Sequence, residues 1–236
     1  MSKRSLYFLF MTPVLLFFAY RLVQAPVFVD AVYPALFQDQ VLIIDPGHGG
    51  EDGGAVSLTG ALESHINLAV SKRLDGILGL YGVRSVLLRE EDISLHDATA
   101  QTLRQKKVSD LHNRVAMIGA QPNAVLLSIH QNSYPDGRYS GAQVFFAPTQ
   151  HSRELAQTMQ ETLRILNPNN NRVEKQIPDT IYLMNHISCP GILVECGFLT
   201  NPKEEQLLRS GKYQTKLAAA LAGGYLQSVT QGEREP

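Results

Sequence analysis

The chain has 236 residues, enough for one full domain with a sizeable core or at most two small ones. Its 21 basic and 22 acidic side chains nearly cancel and no long basic stripe runs through it, which argues against nucleic acid as a partner. Two cysteines, Cys189 and Cys196, are too few for a disulfide framework or a Cys-rich metal site. They read either as a pair formed outside the cell or as two buried thiols.

The N-terminus differs from the rest. Lys3 and Arg4 precede an apolar run from Leu6 to Tyr20, closed by Arg21. Positive residues followed by an apolar stretch shorter than the ~20 residues of a comfortable membrane span describe an export signal or an uncleaved anchor. Ala25 completes a passable small-residue cleavage site, although Pro26 directly after it argues against cutting. The expected organisation is therefore a signal peptide or membrane anchor over 1–25, a linker over 26–39, a catalytic domain over 40–231 and a tail over 232–236. The localisation expected is extracytoplasmic, secreted or anchored to the outer face of the cytoplasmic membrane.

In chain order, Val41 to Ile44 reads as a short strand buried on both faces. Pro46 and Gly47 stop it, His48 follows, and glycines stand at 49, 50, 53 and 54. Apolar residues at 62, 66, 69, 70, 74, 77 and 78 have helical spacing, with Gly82 as the stop. Val83 to Leu88 predicts a second strand and Arg89 to Ser109 a long polar connection. Asp110 to Ile118 predicts a helix capped by Ser109, with Asp110 and Arg114 paired at i,i+4. Strands are expected over 124–129, 142–147, 181–184 and 192–194, and helices over 153–166, 203–209 and 212–229. Strands alternating with helices predict an α/β fold, a single mainly parallel sheet with helices on both faces.

Three polar residues leave the carboxyl ends of expected strands: His48, His130 and Glu195. In open α/β sheets sites gather at those ends, so residues distant in sequence converge there. Glu63 opens the first helix and can turn back to the same crevice. Two imidazoles and one carboxylate form the His2Glu set of a catalytic zinc with a position left open for water. Glu195 is then free to act as general base toward a water whose pKa zinc lowers to about 7, and to return the proton to a leaving amine. That is amide hydrolysis. Taken singly, each residue has a plainer reading: a surface histidine, a first-turn carboxylate favoured by the helix dipole, or a buried partner of a basic residue. The other five histidines, His65 included, read as surface residues. A phosphate-cradling loop is disfavoured, because Glu51 and Asp52 stand where a phosphate would want positive charge.

Ile44 to Gly50, Glu63 within Leu62 to Asn67, Ser128 to Asn132, and Val194 to Asn201 together resemble the motif set of the zinc-dependent N-acetylmuramoyl-L-alanine amidases, the amidase-3 family. The resemblance runs over about residues 41–229. It implies one zinc ion held by His48, Glu63 and His130, a catalytic Glu195, and cleavage of the amide between N-acetylmuramic acid and L-alanine in peptidoglycan. Gln131 departs from the family pattern, in which Ala commonly follows the histidine. A bare catalytic domain with the 106–114 stretch is most similar to the germination-specific amidases, which strip stem peptides from spore cortex on the way to muramic-δ-lactam. That similarity implies an activating or lactam-forming partner protein. Asn132 is expected as a substrate contact or a loop cap. Arg89, Arg114 and Lys175 are expected at stem-peptide carboxylates or as solvated or helix-paired charge. Asp45 is expected to fix the Gly-rich turn through backbone N–H groups. The rivals are a zinc peptidase or deacetylase acting on the cell wall, and a wall-binding module without catalysis.

Overall fold

The computed structural model describes residues 40–232, with side chains through 230. The expected signal or anchor, the whole of the linker and the last residues of the tail lie outside them. Among the described residues no helix is long and apolar enough to cross a membrane.

Twelve elements follow one another: β1 (Val41–Pro46), α1 (Glu63–Leu80), β2 (Ser85–Leu87), α2 (Leu103–Gly119), β3 (Ala124–Asn132), β4 (Gln143–Phe146), α3 (Ser152–Leu163), β5 (Lys175–Gln176), α4 (Tyr182–His186), β6 (Gly191–Phe198), α5 (Pro202–Leu208) and α6 (Gly211–Gly232). The sheet order is β2-β1-β3-β6-β4-β5, and every neighbouring pair is parallel except β4 with β6. This is the expected mainly parallel sheet.

Burial explains the sequence of the central strands. Leu42, Ile43, Ile44, Leu126, Leu127, Ile129, Ile192 and Val194 are almost wholly buried, so both strand faces must be apolar and no alternation is left. On one face Val41, Ile43, Leu126 and Leu193 pack with Ile118 of α2 and with Leu183 and Met184 of α4. Helices α1, α3 and α6 cover the other face, with Ile66, Val70, Leu74 and Leu78 forming the inward stripe of α1.

Four boundaries depart from expectation. Helix α2 begins at Leu103 rather than Asp110, and its cap is Thr102, not Ser109. The Thr102 hydroxyl accepts from Gln105 N while the Gln105 side chain accepts from Thr102 N, a capping box. The first turns are exposed and polar, so no apolar period marked them. Ile181 to Met184, expected as a strand, is the entry to α4; four apolar residues in a row carry no period that separates a buried strand from one helical turn. Strand β5, in a stretch with no expected element, pairs through its backbone at the sheet edge with both side chains exposed. Finally, β3 and β6 continue past His130 and Glu195, so both residues sit inside strands and directly opposite one another.

Candidate active site

The site begins where β1 stops. After Pro46 the chain enters Gly47, then His48 at φ 61°, Gly49 at φ 141° and Gly50 at φ 58°. A left-handed histidine is uncommon, and here it is held by two buried guanidinium groups. Arg89 donates to the carbonyls of Pro46 (2.9 Å), Gly47 (3.1 Å) and Ser64 (2.9 Å). Arg114 donates to the carbonyls of Pro46 (3.1 Å) and His48 (2.8 Å), to Asp110 (2.7 Å) and to Asp45. Both arginines are 2 % exposed. Neither can meet a stem-peptide carboxylate; both are committed to carrying the loop, which corrects that expectation, although the Asp110–Arg114 helix pair is present as expected. Lys175 lies exposed on β5, two strands from Glu195, as solvated charge. Asp45 pairs with Arg114 and accepts from Ser128 Oγ at 2.6 Å, instead of capping backbone N–H groups of the turn.

The four central residues converge. Among the described residues, His48, Glu63 and His130 form a set whose ligand atoms all lie within 4.8 Å of one another. His48 Nε2 lies 3.4 Å from Glu63 Oε2, and His130 Nδ1 lies 3.0 Å from Glu63 Oε1. The two rings approach edge to face, 5.0 Å between centroids. Glycine is required around them. A Cβ on Gly47 would intrude on the His130 ring, and one on Gly54 would sit against Glu63 Oε2 and the His48 ring.

Glu63 is 4 % exposed at the N-terminus of α1. It accepts from Ala55 N (2.9 Å), Gln131 N (3.1 Å) and Asn67 Nδ2 (3.3 Å). Asn67 also donates to the Gly47 carbonyl at 3.1 Å and accepts from Gln131 Nε2 at 3.1 Å. Burial works against the Glu63 carboxylate, but the two imidazoles outweigh it and hold the group far below the usual range. His48 in turn places Nδ1 3.0 Å from Asp52, and Asp52 pairs with Lys107 of α2 at 2.9 Å. Burial would lower the His48 pKa, yet the Asp52 and Glu63 carboxylates raise it to about 10 in the metal-free chain.

Glu195 lies across from His130 on β6 and is flanked on its other side by Gln143 of β4. Its Oε2 is buried without a hydrogen-bond partner. Burial pushes its carboxyl up to about 7, with His130 opposing and Glu63 reinforcing the rise. Asn132, two residues beyond His130 and partly exposed, accepts from Leu199 N through its carbonyl at 2.8 Å. His65 points outward to Asp92 at 2.9 Å. Both cysteines are free thiols, with Cys196 buried and Cys189 partly so.

The sequence alone did not assign Asp52, Lys107, Asn67 and Gln131 to the site, although Asp52 stands four residues after His48, Asn67 four after Glu63 and Gln131 directly after His130. Of the four, Lys107 alone reaches it across the fold.

The donor set suits a divalent ion, because two imidazoles and a carboxylate converge with an unpartnered carboxylate oxygen beside them. Comparison with known proteins identifies the family. Residues 42–227 match the family model described as N-acetylmuramoyl-L-alanine amidase. The germination-specific N-acetylmuramoyl-L-alanine amidase of Bacillus subtilis (strain 168) is 36 % identical over 193 residues, 81 % of each chain. The amidase AmiA of Escherichia coli (strain K12) is 25 % identical over 237 residues, covering 79 % of this chain and 75 % of that one. The solved CwlD amidase of Clostridioides difficile, in complex with the GerS lipoprotein, superposes with a TM-score of 0.77 at 37 % identity, over 81 % of this chain and 98 % of that one. With a match across most of its length and relatives of this identity, the chain belongs to the N-acetylmuramoyl-L-alanine amidase family and is an enzyme of that class.

Proposed function

We propose that this chain is a zinc amidase of the spore cortex, in which His48, Glu63 and His130 hold the ion and Glu195 moves the proton. The observation that carries the reading is the convergence of those three ligand atoms directly across the β3–β6 pairing from Glu195. A bound zinc supplies the Lewis acidity that makes water nucleophilic near neutral pH. Glu195, as carboxylate, takes a proton from the attacking water and returns it to the departing L-alanine nitrogen. Its unpartnered oxygen supports that role, since a carboxylate already saturated with donors would be a poorer base. Asn132 remains a substrate-contact candidate, on the same strand face as His130 and partly exposed.

The cortex role rests on the likeness to the germination-specific Bacillus subtilis amidase. By the same reasoning the enzyme works outside the cytoplasmic membrane, with residues 1–25 as export signal or anchor. The CwlD neighbour was solved with a lipoprotein, which supports a protein partner of that kind here.

The full chain loaded with zinc is expected to release intact stem peptides beginning at L-alanine from purified cortex, leaving peptide-free muramic acid. A chelator should abolish the release and zinc restore it, read by mass spectrometry. Cleavage inside the stem would make the enzyme a peptidase, and loss of acetate would make it a deacetylase.

Asp52 acts in this reading through His48. A ligating imidazole whose other nitrogen meets a carboxylate is fixed in tautomer and orientation, and removing that carboxylate typically lowers metal affinity 10–100-fold. Asp52→Asn is expected to weaken zinc binding by about that factor, measured by competition with a chromogenic chelator. Unchanged affinity would show that the Lys107–Asp52–His48 chain does not position the ligand.

A further inference from the structure

The loop between β3 and β4 carries chemistry that the proton-transfer machinery does not use. Because β3 runs toward the catalytic edge of the sheet and β4 runs away from it, both ends of residues 133–142 lie at the edge that holds His130 and Glu195. Strand β6 is irregular at this edge: His130 pairs with Glu195, but Asn132 pairs with Phe198, so β6 spends one more residue than β3. Such a bulge re-aims a side chain. Residues directly opposite share a sheet face, so the shift brings Phe198 onto the face of Asn132, His130 and Glu195.

Phe198 is 3 % exposed and founds a row of rings leading away from the site. Tyr139 lies 6.2 Å from it by centroids, Tyr134 lies 4.7 Å from Tyr139, and the Arg172 guanidinium covers the Phe198 ring at 4.9 Å. The two outer tyrosines are 49 % and 46 % exposed. They are held rigidly. Tyr134 N donates to Thr200 Oγ1, Asn201 Nδ2 donates to the carbonyls of Gly137 and Tyr139, and Gly141 N donates to Glu204 Oε1. Two half-exposed rings anchored through the backbone of their loop present faces that suit the apolar face of a sugar ring.

We propose that Tyr134 and Tyr139 form a saccharide subsite that receives the glycan strand next to the muramic acid whose amide is cut. The subsite rests on the amidase reading above and adds where the glycan lies. Four residues of chain separate His130 from Tyr134, at most roughly 14 Å, which places that ring within a disaccharide's reach of the reacting amide. The glycine-rich loop on the other side of the site carries ion pairs instead, Lys106 with Glu51 and Lys107 with Asp52.

The test compares the zinc-loaded full chain with Tyr134→Ala/Tyr139→Ala on two substrates: intact cortex strands, and a single N-acetylmuramoyl peptide without flanking sugars. On strands kcat/KM should fall about tenfold, carried by KM, as expected for losing the apolar contact of one sugar face. On the short substrate it should hold within about twofold, because the rings lie beyond its only sugar. Zinc content should match wild type. Tyr134→Phe/Tyr139→Phe should restore strand activity, since the ring face acts rather than the hydroxyl. Equal loss on both substrates, or no loss on strands, would overturn the subsite. If the double alanine variant does not fold, Tyr134→Ala alone decides, because that ring contacts the row only through Tyr139. A wild-type chain that frees no stem peptide from either substrate sinks the amidase reading. Binding of peptide-stripped glycan to wild type and variant would still decide the subsite on its own.

Discussion

Glu195→Gln is expected to lower kcat by about 10²–10⁴, the usual worth of a positioned general base, while zinc affinity and thermal stability stay close to wild type. The substitution keeps the shape of the side chain and removes only its ability to accept and return a proton. Metal affinity should persist because the converging set consists of His48, Glu63 and His130 without Glu195. The pH profile adds a second readout. The base works as carboxylate, so kcat/KM falls as pH drops through its pKa. Burial sets that value at about 7 in the metal-free chain, and a nearby dication favours the charged form and draws it lower. The acidic limb in the zinc enzyme is thus expected below pH 7, and absent from the residual activity of the variant. A Glu195→Gln enzyme that bound zinc yet kept full hydrolysis would remove this residue from the mechanism.

Arg114→Ala is expected to have the largest effect on the fold. It strips the partner from buried Asp45 and Asp110 and releases the carbonyls of Pro46 and His48. Breaking a buried ion pair by removing one member costs about 3–5 kcal/mol, because the other charge stays desolvated. At ~2–4 °C per kcal/mol for a domain of this size, the midpoint should drop by roughly 6–20 °C. The pH dependence has a definite sign. Burial alone would raise the Asp45 pKa, but the Arg114 charge and the Ser128 hydroxyl outweigh it and hold the group below its usual value. Its stabilising contribution is therefore complete above the unfolded carboxylate pKa near 4 and is lost as pH falls through the lower folded value. Without Arg114 the burial dominates and Asp45 takes up a proton more readily. The gap in stability between wild type and variant should be widest at neutral pH and narrow on acidification, measured by urea unfolding at several pH values. A constant gap would mean that the carbonyl hydrogen bonds, and not the ion pair, carry the effect. Loss of zinc affinity should accompany the loss of stability, since the His48 backbone hangs on the same guanidinium.

What the amino-acid order determined by itself was local burial and its interruptions. Val41 to Ile44, Ala124 to Leu127 and Ile192 to Val194 are apolar on both faces because helices cover both sides of the sheet, and that requirement is written residue by residue. The polar residues that break those runs, His48, His130 and Glu195, were legible for the same reason: a charge at the end of a buried run has to face a cleft. Glu63 could be assigned because a helix must start somewhere after a glycine turn.

Tertiary structure decided everything that depends on a partner far along the chain. Arg89 and Arg114 look like any basic residues in a polar stretch; only the fold shows that their donors end on the carbonyls of residues 46–48. Backbone carbonyls are the same at every position and leave no mark in a sequence. Lys107 reaches Asp52 from a helix turn that had no apolar period, and α4 took the place of an expected strand because a four-residue apolar run fits both. The one-residue slip between β3 and β6, which turns Phe198 to the catalytic face, is likewise a property of pairing: a bulge exists only between two strands, and neither strand encodes it alone.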